Sequence, residues 1–182
     1  ASGSANDGLY GKGSSSFHNE GNITIDGQGS WGLRSSNNVE TYNSGRINMS
    51  GNKSYGMKIE KGTVENHGDI TTADAENFGI WVNNVDSLTN SGTVTINGAD
   101  SVGIYAGGSS GATNSGTINV NGDGGKGINT TANSSFTNKG TINVNGKNGY
   151  GIYAEGTSKV TNSGDIYLNA TTATKTSSAL YA

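Results

Sequence analysis

Three ten-residue stretches, TNSGTVTING (Thr89–Gly98), TNSGTINVNG (Thr113–Gly122) and TNKGTINVNG (Thr137–Gly146), begin 24 residues apart. The interval extends well beyond them. Asn-x-Gly falls at Asn19, Asn43, Asn66, Asn90, Asn114, Asn138 and Asn162, in steps of 24, 23, 24, 24, 24 and 24. A second marker, Gly followed by an aliphatic residue, falls at Gly8, Gly32, Gly56, Gly79, Gly103, Gly127 and Gly151. Ala179-Leu180 reads as its last member, 28 residues on, which implies a four-residue insertion within Ala170–Ser178. A fixed period of 20–50 residues defines an array whose units stack on their neighbours, and it limits the fold more than any single motif.

Inside each unit the apolar period is 2, not 3.6. Phe136 and Asn138, then Ile142 and Val144, then Ile152 and Ala154 are short in/out alternations separated by Gly, Asn and Ser. That is strand chemistry punctuated by turns. Three short strands per 24 residues make one rung of a parallel β-helix, with rungs ~4.8 Å apart and seven of them spanning roughly 34 Å. Four columns are predicted to fill the interior, one beginning Ile23, Ile47, Ile70 and its neighbour Ile25, Met49, Thr72. The third begins Leu33, Met57, Ile80 and the fourth Phe17, Thr41, Val64. Each buried aliphatic side chain contributes ~1.5–3 kcal/mol. Only 30% of the chain is hydrophobic and 14% charged, with 31 Gly and no Pro. The Ile and Val residues nevertheless keep their schedule, so the low hydrophobicity signals a thin repetitive core rather than disorder.

Seven Asn residues in register predict a ladder in which side-chain amides bond to one another and to turn backbone. The Gly two positions later is expected to form a bend that a Cβ would obstruct.

Repeats of the form NSGTINVNG…GIYA, running from Gly8 to Ala182, resemble the passenger regions of bacterial autotransporters. The resemblance implies an all-β, right-handed parallel β-helix of about seven rungs of 24 residues. It also implies that residues 1–182 are a single β-helix domain, a segment of a longer passenger. The implied location is extracellular or at the bacterial cell surface, anchored in the outer membrane through a segment outside this sequence.

The rest of the sequence excludes more than it offers. The chain has no Cys, hence no disulfide and no thiolate metal site. A net charge of −3 without basic clusters argues against a nucleic-acid partner. No apolar run approaches the ~20 residues of a membrane helix, so membrane insertion of this segment is not expected. Glu76 and Asp100 form the one adjacent-rung acidic pair, at about 5 Å by rung spacing, which suits a retaining glycosidase or a weak cation site. His18 and His67 flank Asn residues on opposite sides and are read as unable to pair, and no hydroxyl is read as aligned with them. GQGSWG (Gly27–Gly32) matches G-x-G-x-x-G but has no following helix, so it is not a dinucleotide site. An outer array of Thr93, Thr117, Thr141 beside Thr95, Asn119, Asn143 is of the kind that orders water, but Arg46, Asp69, Asp165 and Tyr167 interrupt it.

The aromatic residues carry the strongest surface signal. Two columns flank the Gly-aliphatic marker and hold nine of the 13 aromatics. The first reads Tyr10, Arg34, Lys58, Trp81, Tyr105, Asn129, Tyr153, Tyr181 and is expected to face outward. The second reads Asp7, Trp31, Tyr55, Phe78, Val102, Lys126, Tyr150, Ser178 and is expected to turn inward and close a corner. The functional expectation is a non-enzymatic β-helix that needs no cofactor and no metal. It acts in adhesion or self-association through the outward strip (Tyr10, Arg34, Lys58, Trp81, Tyr105, Tyr153 and Tyr181) toward a host glycan, a host protein or copies of itself. A filament subunit stacking head to tail and a polysaccharide-active enzyme centred on Glu76 and Asp100 are the alternatives.

Overall fold

The computed structural model describes residues 5–170 and 177–182. Among the described residues every regular element is a strand, and all pairings are parallel. The chain winds as a β-solenoid of about seven turns. One row of strands forms a seven-stranded sheet: Asn22–Asp26, Arg46–Ser50, Asp69–Thr72, Thr93–Ile96, Thr117–Val120, Thr141–Val144 and Asp165–Leu168. A second row carries the Gly-aliphatic marker and a third ends on the ladder Asn. These two rows are joined into a 13-stranded sheet because Trp31–Asn43 and Tyr55–Asn66 run through the corner between them without a break.

Register follows the sequence period. Val94 pairs with Ile70 on one side and Ile118 on the other, and Ile104 sits between Ile80 and Ile128. The single 23-residue step is absorbed as an irregularity between Ser36 and Val39, where the strand pairing slips by one residue. Ser178 and Leu180 pair with Tyr150 and Ile152, as the last marker requires. The expected insertion itself lies mainly at residues 171–176, outside the described residues.

The four interior columns and a fifth that the sequence reading did not include, Ile59, Val82, Ala106 and Thr130, fill one continuous core, in which Ile47, Met57, Ile80, Leu88, Ile104, Ile118 and Ile142 are fully buried. Two polar residues sit in it at a cost. Thr72 and Thr130 point their hydroxyls inward, and neither Oγ1 has a hydrogen-bond partner.

Each turn has three corners, built in two ways. Two use a left-handed residue. The first corner places it at Ala5, Gly29, Lys53, Glu76, Asp100, Gly124 and Asn148, and the second at Gly13, Asn37, Lys61, Asn84, Gly108, Ala132 and Gly156. The third corner is Asn-x-Gly. There Gly is needed for close approach rather than for a left-handed conformation: a Cβ on Gly116 would lie 2.1 Å from the carbonyl oxygen of Gly92 in the turn below.

Candidate binding surface

At the third corner the seven asparagines form an unbroken ladder. Nδ2 of Asn19 donates to Oδ1 of Asn43 at 2.7 Å, and Asn43, Asn66, Asn90, Asn114 and Asn138 each donate in the same way to the Asn of the next turn, ending on Asn162. The second hydrogen of each Nδ2 goes to the carbonyl of the Gly two residues on, as in Asn66 to Gly68 at 3.1 Å. Asn43 through Asn138 are fully buried. Donors and acceptor are thus spent, and this column is structural cement with nothing left for a ligand.

The strip lies on the outer face of the second strand row, and both of its columns face outward. The expectation that the second column turns inward is corrected here. Gly79 and Ile80 are consecutive buried residues, as are Gly103 and Ile104, so alternation breaks at the marker. The Gly takes the inward position because a Cβ there would strike the Ile or Val of the facing sheet: Gly79 would meet Val94 Cγ1 at 2.4 Å. Residues on either side of the Gly-aliphatic pair therefore emerge on the same surface and interlock.

The result is a wall of rings and cations two columns wide. The Arg34 guanidinium lies 4.4 Å from the Tyr10 ring centre and 4.6 Å from that of Trp31. Nζ of Lys58 sits 5.3–5.8 Å from the rings of Trp31, Tyr55 and Trp81. Tyr55 stacks on Phe78 at 5.0 Å, Trp81 stacks on Tyr105 at 5.7 Å, and Phe78 meets Tyr105 edge-on at 5.9 Å. Burial under these neighbours pushes the Tyr55 phenol above the ordinary tyrosine range. The wall is interrupted where Val102, in the turn of Tyr105, and Lys126 and Asn129, in the next turn, stand in place of rings. It resumes with Tyr153 stacked on Tyr181 at 4.8 Å and Tyr150 edge-on to both. A hydrogen bond to Glu155, then burial and the charge of Glu155, raise the Tyr153 phenol as well.

The other candidates come out differently. Glu76 and Asp100 occupy the left-handed position of the first corner, a place that backbone geometry dictates in every turn. Glu76 is paired with Lys53 at 3.6 Å. This gives the pair a turn-forming reason to be where it is. Gly27 and Gly29 have positive φ at the same corner, and the strand Trp31–Asn43 follows where a dinucleotide site needs a helix. The Thr/Asn array is bonded along its own column, Asn143 Nδ2 donating to Asn119 Oδ1 at 2.9 Å and Asn119 to Thr95 at 3.3 Å.

The two histidines occupy different columns, with both rings against Tyr42, at 5.1 and 5.2 Å. His67 also has a hydroxyl and a carboxylate beside it, with Ser91 Oγ 2.5 Å from Nδ1 and Glu65 Oε2 3.3 Å from Nε2. The order Ser–His–Glu resembles a nucleophile with its base and orienter, but the amides beside the hydroxyl are already engaged. The amides of Ser91 and Gly92 both donate to the carbonyl of Asn66. Among the described residues no group of three or more His, Cys, Asp or Glu is placed to hold a metal, and no helix is long and apolar enough to cross a membrane.

A second amide ladder went unread in the sequence. Asn121 Nδ2 donates to Asn97 Oδ1, Asn145 to Asn121 and Asn169 to Asn145, each at 2.8 Å, on the exposed side. Its signal was present in the Asn that ends TVTIN, both copies of TINVN and DIYLN, at the same 24-residue interval.

A solenoid of stacked parallel strands belongs to the broad class of parallel β-helices. Within it, the model of the family described as BigA third pectate lyase-like domain matches residues 29–131 and 124–182, and the chain belongs to that family. The two matches overlap, as expected when one profile can align to a repeat at more than one turn. No curated protein and no solved structure matches the chain.

Proposed function

We propose that this chain is a non-enzymatic stretch of a secreted or surface-exposed bacterial β-helix, of the autotransporter-passenger kind. It holds a host glycan, a host protein or another copy of itself on the aromatic strip. The observation that carries the reading is the continuity of the wall from Tyr10 to Tyr105, in which every turn contributes a ring or a cation that touches the next. Such a rod face presents a stiff row of large amphipathic side chains whose rotamers are already fixed by stacking. Ordering such side chains on binding costs little, and Trp, Tyr and Arg are the residues that dominate contact energies. Arg34 and Lys58, held over rings, add cationic character to an otherwise acidic chain.

The test is retention of the purified chain on a glycan array and on fixed host cells, together with sedimentation for self-association. The double variant Trp81→Ala/Tyr105→Ala should lose at least tenfold in whichever assay the parent registers, with its strand content kept by circular dichroism. Undiminished binding in a folded double variant overturns the strip.

A further inference from the structure

Resting on that reading, we propose that the cleft beside the interruption of the strip is a sugar subsite, shaped for one or two neutral or amino-substituted pyranose rings. The register places Asn129 between Tyr105 and Tyr153. Those two tyrosines therefore stand two turns apart, roughly 10 Å. Each has a ring stacked on its far side, Trp81 and Tyr181 respectively, and an amide rather than a ring on its near side. No ring fills the step between them: Nζ of Lys126 stands 5.1 Å from the Tyr153 ring centre instead, and the Tyr105 hydroxyl is hydrogen-bonded to Thr131 Oγ1 at 2.9 Å.

Beside the gap, toward the first corner, the surface dips into a cleft of about 400 Å³ lined by Asp100, Asp123, Gly124, Lys126, Asn148 and Tyr150. Gly124 leaves room for the Asp100 carboxylate, since a Cβ there would come within 2.3 Å of Asp100 Oδ1. Asp123 accepts the Lys147 amide at 2.8 Å through Oδ1, and no partner of Oδ2 is among its hydrogen bonds. The combination is what a saccharide requires. A tyrosine ring takes the C–H face of the sugar, carboxylates accept its hydroxyls, and an ammonium donates to a ring or glycosidic oxygen. The volume is at the small end of ligand clefts, about 300–1,000 Å³, and suits one or two rings. Two carboxylates against one ammonium make the cleft net negative, which favours neutral and amine-bearing sugars and disfavours uronates.

The experiment titrates the whole chain with chitotriose, glucosamine trimer, cellotriose and trigalacturonate by calorimetry. The parent is compared with Asp100→Asn/Asp123→Asn, Tyr150→Ala, Trp81→Ala and, as a control on another face, Glu65→Gln. At least one of the three non-uronate probes should bind, with affinity falling tenfold or more in Asp100→Asn/Asp123→Asn and in Tyr150→Ala and holding within twofold in Glu65→Gln. Asn keeps the acceptor at both Asp positions and is at ease in the left-handed conformation of Asp100, so the double variant should melt with the parent. Three results overturn the subsite: no binding of any non-uronate probe, a preference for trigalacturonate, or binding lost in Trp81→Ala while the cleft variants keep it. The last leaves the strip standing. The first leaves the strip to its own array and cell assays.

Discussion

Two ladders of asparagine amides run along this rod with almost the same hydrogen-bond length, 2.7–2.8 Å inside and 2.8 Å outside. The inner one, Asn19 to Asn162, is fully buried over its central five turns, and each Nδ2 also reaches a glycine carbonyl. The outer one, Asn97 to Asn169, is exposed. The difference teaches that geometry does not set the worth of these bonds. An exposed amide exchanges one partner for water at little cost. A buried one that loses its partner leaves donors and acceptors stranded, which costs about 1–3 kcal/mol per group. The outer aromatic wall falls between the two, half-buried and stabilised by stacking rather than by bonds that must be completed.

The comparison can be broken at the inner ladder first. Asn114→Leu removes the acceptor of Asn90 and the donor to Asn138. It should cost about 3–5 kcal/mol, read as a fall in the denaturant midpoint. A loss below 1 kcal/mol would mean that the ladder is ornamental. Next comes Gly116→Ala, whose methyl would strike the Gly92 carbonyl. The strain of prying two turns apart should cost about 2–3 kcal/mol by the same measurement.

Two smaller effects sharpen the contrast. Trp81→Ala should cost about 1–2 kcal/mol, from the lost stack on Tyr105 and the lost cation contact of Lys58, and near-ultraviolet dichroism should lose its coupled aromatic signal. Asn121→Ser in the outer ladder should stay within about 0.5 kcal/mol of the parent. If thermal melts placed Asn121→Ser beside Asn114→Leu, burial would not be the deciding variable.

Much of this was legible before any coordinates. Most of the inward columns read correctly, including the awkward Thr72, because a period of 2 inside a period of 24 assigns each residue both a face and a partner; the column of Ile59, Val82 and Ala106 was not read, and the end members Leu168 and Leu180 are exposed. The Asn-x-Gly ladder was legible for the same reason. The outward direction of Trp31, Tyr55, Phe78 and Tyr150 was misread because strict alternation was carried through the marker. The chain instead places Gly and Ile on the same side, and the space that permits it belongs to Val94 and its equivalents on the opposite sheet. The meeting of His67 with Ser91 was legible, since each follows its ladder asparagine by one residue, and it was overlooked; Glu65 lies two residues before His67 and reaches it around the Asn-x-Gly corner.

By itself the sequence determined the period, the parallel register and the identity of the core. All three follow from repetition, and a repeated chain that buries its apolar face has few other ways to do so. The tertiary structure decided which polar columns are spent and which are open, where the ring wall closes and where it gaps, and which charges are simply corner residues in the left-handed conformation. Those outcomes depend on what a side chain meets across the rod or one turn above it, and adjacency of that kind is set by packing.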